Sequence, residues 1–153
     1  MHTFPQNFKL AQLIGLAAQG SLNTAYVSPF ASSGVAGDAQ RAVFELWIGV
    51  LSSGTVDFAL YQATSSAGAG RKAITGAALT QITTSTDVSI NTIEIGPGAL
   101  DDANGFKYVR GEVTVSTGTP IWGVQQWNYW LRYPGVGGQD ATYAQQVLVL
   151  GQN

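Results

Sequence analysis

The chain has 153 residues, 45% of them hydrophobic, which is one ordinary domain's worth of sequence with enough apolar side chains to fill a core. Seven basic and nine acidic residues leave a net charge of −2, so no general electrostatic case exists for nucleic acid as a partner. The polar residues are mostly neutral Thr, Ser, Gln and Asn beside 19 Gly, and there is no cysteine, which disfavours disorder and long helices and excludes disulfides, thiolate zinc and thiol nucleophiles.

Residues 1–30 read as an irregular N-terminal arm or edge segment, broken by Pro5, Gly15, Gly20 and Pro29. Leu10, Leu13, Ile14 and Ala17 have helical spacing, but the run is too short for a stable isolated helix. A docking arm, a short capping helix and a chain end packed on its own domain all fit. Lys9 to Ala18 contains Gln12 and Gly15 and has no basic leader, so it is not read as a signal peptide. No run approaches the roughly 18 apolar residues of a membrane span, and no membrane partner is expected. Tyr26 to Phe30 can add an edge strand.

Residues 31–153 read as one β-sandwich domain. From Ala42 to Leu51, Phe44, Leu46, Ile48 and Val50 alternate with Val43, Glu45 and Trp47, a period of two that marks a strand. Ser52-Ser53-Gly54 turns the chain into a second strand with Val56, Phe58 and Leu60 on one face. Ala63 to Gly70 is a small-residue surface loop. Further strands are expected at Ala73 to Thr83, weakened by Gly76, and at Ile90 to Ile95, ended by Gly96-Pro97-Gly98. Asn104-Gly105 is a turn pair. From Phe106 to Ser116, Val109, Val113 and Val115 face one way and Tyr108, Arg110, Glu112 and Thr114 the other. The last strands are Ile121 to Leu131 and Tyr143 to Leu150. The pattern predicts an all-β, antiparallel, jelly-roll-like sandwich with Phe44, Leu46, Ile48, Phe58, Leu60, Val109, Val113 and Val115 in its core.

Catalytic chemistry finds little to stand on. His2 is the one histidine, and nothing in the sequence places it beside a serine and a buried acid. Asp101 and Asp102 are adjacent in a turn, where bonding to their own backbone accounts for them. Asp101 to Gly105 lacks the alternating acids and distal Glu of a helix-loop-helix calcium site. Gly68-Ala69-Gly70-Arg71-Lys72 resembles a phosphate loop in composition but not in order. No catalytic residue, cofactor or metal is assigned, and the chain is expected to be non-enzymatic.

Trp122 to Tyr133 is the most aromatic stretch. As one strand it puts Trp127 and Tyr129 on a face with Ile121, and Trp122 and Trp130 on the other with Val124. The plain reading is a central strand with both faces covered inside the domain. A subunit contact or a sugar-stacking platform with Gln125, Gln126 and Asn128 are the alternatives. The sparse charge also fits a surface covered by neighbouring subunits.

Glu45-Leu46-Trp47-Ile48-Gly49, Asp57-Phe58-Ala59-Leu60-Tyr61-Gln62-Ala63-Thr64, the loop through Gly70, Lys72-Ala73-Ile74-Thr75-Gly76, Leu79-Thr80-Gln81-Ile82 and Tyr108-Val109-Arg110 carry a resemblance over roughly half the chain. It resembles small virion proteins of tailed bacteriophages, the capsid decoration (cement) or minor head protein group. The resemblance implies a non-enzymatic protein on the capsid exterior, made in the host bacterial cytoplasm and bound to a shell of major capsid protein. It also implies self-association, with a trimer favoured. The N-terminal segment and the aromatic stretch lie outside that resemblance; their apolar side chains and the sparse charge of the surface make Phe4, Phe8, Leu10, Leu13, Ile14, Trp122, Trp127, Tyr129 and Trp130 the expected interface residues. A carbohydrate-binding receptor module and a tail or neck structural protein are the other functions that fit.

Overall fold

The computed structural model describes residues 8–30, 41–129 and 143–151. Nine strands account for nearly all the regular structure: β1 (Phe8–Ala18), β2 (Leu22–Asn23), β3 (Arg41–Ile48), β4 (Val56–Ala63), β5 (Lys72–Ala78), β6 (Ser89–Gly98), β7 (Tyr108–Val115), β8 (Ile121–Tyr129) and β9 (Tyr143–Gly151). A 3-10 turn, Asp102–Asn104, precedes β7. The strands form two sheets, one in the order β1-β8-β3-β6-β9 and the other β2-β7-β4-β5. Every pairing is antiparallel except β6 with β9, which is parallel. The two sheets pack face to face as a β-sandwich.

The alternation in the sequence explains the packing. Along β3 and β4 every second side chain is buried, so Phe44, Leu46 and Ile48 meet Val56, Phe58 and Leu60 between the layers. Ile93 and Ile95 from β6, Val109 and Val113 from β7, and Trp122 and Val124 from β8 complete that layer. Seven of the eight expected core residues are buried, and Val115 is half-buried against the same cluster. Removing each large side chain from water stabilises the fold by roughly 1.5–3 kcal/mol.

Four local expectations differ. Val50 lies beyond the end of β3 and is exposed, because the strand stops at Ile48 before the alternation reaches it. β5 ends at Ala78, and Leu79 and Ile82 reach the core from the segment that follows. β6 continues through Gly96-Pro97-Gly98 alongside β9. Tyr26 to Phe30 holds one isolated bridge, Val27 to Val109, rather than a strand.

The largest difference is at the N-terminus. Residues 8–18 are a strand, not an irregular arm or a helix, and β1 pairs with β8 along its length. Its register slips between Leu10 and Gln12 and again between Ile14 and Ala17. Each slip sets one extra residue against β8, the signature of a β-bulge.

Candidate functional site

The two outer faces of the sandwich are chemically unlike. The outer face of the four-stranded sheet is laced with charge. Both carboxylate oxygens of Glu112 accept from Arg71, at 2.7 and 2.6 Å, and Arg110 donates to Oε1 from Nε at 2.8 Å. The Arg71 guanidinium lies 3.8 Å from the centre of the Tyr61 ring, and that of Arg110 4.6 Å from the Tyr26 ring. Lys72 sits over Phe106 and pairs with Asp101. Burial pushes the Glu112 carboxyl up, but the hydrogen bonds and charges of Arg71 and Arg110 outweigh it and hold the group below its ordinary range. Hydrogen bonds from Lys72 and Asn104 lower Asp101 in the same direction.

These contacts account for the motifs weighed in the sequence. The Asp101 carboxylate accepts from Asn104 and faces the Lys72 ammonium, and Gly105 closes the turn in the left-handed conformation. The glycine-rich connection of β4 to β5 delivers Arg71 to Glu112 and Lys72 to Asp101. Among the described residues, no group of three or more His, Asp or Glu side chains is placed to hold a metal ion. His2 lies outside the described residues.

The outer face of the five-stranded sheet is different. On β3 and β8 the outward side chains include Trp47, Ile121, Gln125 and Trp127, with Leu10 opposite Trp127 and Leu13 opposite Gln125 on β1. Gly123 faces out opposite Trp47, and the second bulge of β1 closes over it. A Cβ at Gly123 would lie 2.9 Å from the Ile14 carbonyl oxygen and 3.1 Å from the Leu16 nitrogen, so only glycine allows that approach. The result is a cleft of about 290 Å3 between Leu13, Leu16, Trp47 and Gln125. Gln125 donates from Nε2 to Glu45 at its edge.

Main-chain contacts around Gly49 tie the end of the sheet together. Gly49 packs against Ile121, its N–H donating to the Ile121 carbonyl at 2.8 Å, and the Val88 N–H reaches the Gly49 carbonyl. Leu13, Leu16 and Trp47 line the cleft, while Ile121 and Val88 meet Gly49 at the end of the sheet and Val50 follows it in the chain; all six are exposed, from 37% (Trp47) to 71% (Val50). Val88 holds a φ of +50°, which is strained for a β-branched residue.

Of the interface residues expected from the sequence, Leu10 and Leu13 are exposed on this face, and Trp127 is half-buried there. Ile14 points inward and packs on the core cluster. Trp122 is corrected: it is fully buried between the sheets, its indole N–H donating to the Gln19 carbonyl at 3.1 Å. Inward position on β8 makes it a core residue, not a surface for a partner. Phe8 and Tyr129 are register partners on β1 and β8; Phe4 and Trp130 lie outside the described residues. Leu16, Val50 and Val88 are exposed as well, and the sequence reading assigned none of them to an interface. The sequence held a signal for Val50, since Gly49 ends the alternation just before it.

No family model matches the chain, and it matches neither a curated protein nor a solved structure.

Proposed function

We propose that this chain is a non-enzymatic structural protein of a tailed-phage virion, a decoration protein that binds the outside of the major capsid protein shell and reinforces it. The observation that carries this reading is the strand order. Within the sandwich, β1-β8-β3-β6 lies against β2-β7-β4-β5, the arrangement expected of an eight-stranded jelly roll of two Greek keys. The resemblance in the sequence implies that fold, and β9 adds a ninth strand at the β6 edge. Fold alone does not assign function, so the sequence motifs supply the virion part of the reading.

A second reading has an observation of its own. Trp47 is partly open to solvent beside Gln125 and Glu45, and an aromatic face next to amide and carboxylate groups is what a sugar ring stacks on and bonds to. Co-sedimentation with purified tailed-phage capsids separates the two. Saturable binding to the shell, unaltered by Trp47→Ala, supports the decoration reading. Absence of shell binding, together with glycan-array signals lost in Trp47→Ala or Trp127→Ala, replaces it with the carbohydrate module.

A further inference from the structure

We infer that the outer face of the four-stranded sheet is a docking surface for an acidic segment of a partner protein, with Arg71 and Arg110 as the pair that takes its carboxylate. That this partner is the shell protein rests on the decoration reading above; the face and its chemistry rest on geometry. Tyr26, Arg110 and Tyr61 stand in one row across the sheet. The bridge from Val27 to Val109 sets Tyr26 beside Arg110, and Tyr61 is the register partner of Arg110 on β4. Arg71, its side chain 44% exposed, comes over the Tyr61 ring from the β4–β5 connection. Stacking uses the flat face of a guanidinium and leaves its N–H edges for acceptors.

Charge selects the occupant. Glu112 alone answers both arginines: Nε and Nη2 of Arg71 and Nε and Nη2 of Arg110 all end on its two oxygens. Two positive charges thus face one negative charge, and Nη1 of each guanidinium has no partner among the described residues. Elsewhere the described ion pairs match one cation to one acid, Arg41 to Glu94 and Lys72 to Asp101. Two guanidiniums held on the same Oε1 also repel each other. A second carboxylate on the open N–H edges removes both defects through charge-assisted hydrogen bonds. One unit of positive charge matches a carboxylate rather than a phosphate dianion. It is also too little for nucleic acid, where each bound protein neutralises several phosphates. The chain as a whole carries −2, so the rest of its surface repels the same acidic partner and directs it to this face.

The test titrates the full chain with an end-capped tetraglutamate peptide, and with tetraglutamine as the neutral control, while NMR follows the Nε–Hε resonances of Arg71 and Arg110. Tetraglutamate is expected to shift both, and tetraglutamine neither. Arg71→Gln should weaken binding at least about tenfold. Glu112→Gln frees the second positive charge and should tighten it about threefold or more. Both variants loosen the same ladder, so a purely structural cluster would lose binding in both; opposite signs identify a carboxylate site. Arg41→Gln makes the same change of charge on the other sheet and leaves binding unaltered. Co-sedimentation with capsids should follow the same order of variants. Absence of shifts at the two arginines, or shifts that persist in Arg71→Gln, overturns the inference. Inorganic phosphate that displaces tetraglutamate at equal concentration makes this a phosphate site and overturns it too. Capsid binding indifferent to Arg71→Gln and Glu112→Gln overturns the docking face while the decoration function stands. Tetraglutamate binding with the expected signs, but without any shell binding, upholds the acidic-segment site and removes the decoration reading.

Discussion

Gly111 shows how much a single atom matters between the two sheets. It takes an inward position on β7, and a Cβ there would lie 2.7 Å from Phe58 Cε2, with Phe44 Cδ1 at 3.5 Å. Both rings are fully buried, so neither can swing aside into solvent. Gly111→Ala is therefore expected to destabilise the fold by about 1–3 kcal/mol through overpacking, read as a lowered urea midpoint with unchanged slope. Thr24 fixes the same residue from β2's side, its hydroxyl accepting the Gly111 N–H at 2.9 Å. The sequence showed which side chains on β7 point inward, because Val109, Val113 and Val115 alternate. The need for glycine between them was not legible, since it arises from a ring on β4. Asn91 and Gln126 are a similar case. Both are fully buried, opposite Leu46 and Phe44, and polarity alone would have placed them outside.

The strand that sequence pattern misread is β1, and its bulges explain why. In an unbroken strand, outward residues recur every second position. Each bulge in β1 adds one residue, so Leu10 and Leu13 both face outward three positions apart. That spacing imitates a helix. Amphipathic period is legible only where register is uninterrupted, as in β3, β4 and β7, and those are the strands that pattern located well. The ladder joining β5, β7 and the β4–β5 connection makes a pH prediction at the same scale. Glu112 and Asp101 are both held below their ordinary values of 4.5 and 3.8. The unfolded chain therefore takes up protons first as pH falls, and the stability these carboxylates contribute is full above about pH 4.5 and lost as pH drops toward their depressed folded values. At the alkaline end, burial raises Tyr26 above 10.0. The unfolded chain releases that proton first, and stability falls as pH rises past that value. A urea midpoint measured against pH should decline on both sides, and Glu112→Gln should flatten the acid limb. An acid limb identical in that variant would show that the Arg71–Glu112–Arg110 ladder contributes nothing to folding.

At the scale of the whole molecule, local pattern runs out because pairing joins distant segments. Nothing in Tyr143 to Leu150 indicates that it adds to the β6 edge in parallel, or that the first described strand lies beside the eighth. The position of β1 has a measurable consequence for the boundary the sequence suggested. If residues 1–30 were a detachable arm, deleting residues 1–20 would leave the sandwich as stable as before. The structure leads to the opposite expectation. Deletion removes the whole of β1 from the edge of the five-stranded sheet, and with it Ile14 from the margin of the core. It also removes Gln19, whose carbonyl accepts the Trp122 indole N–H and whose side-chain amide donates to the Trp122 carbonyl at 2.8 Å. A buried donor left without its partner costs about 1–3 kcal/mol by itself, and the lost ladder and the uncovered outer side of β8 add to it. The truncated chain should accordingly unfold at a clearly lower urea concentration, by about 3 kcal/mol or more in stability. Its tryptophan emission should shift to the red as Trp122 meets water. An unchanged midpoint and unchanged emission would mean that β1 rides on the sandwich without supporting it, and the arm reading of residues 1–20 would then be restored.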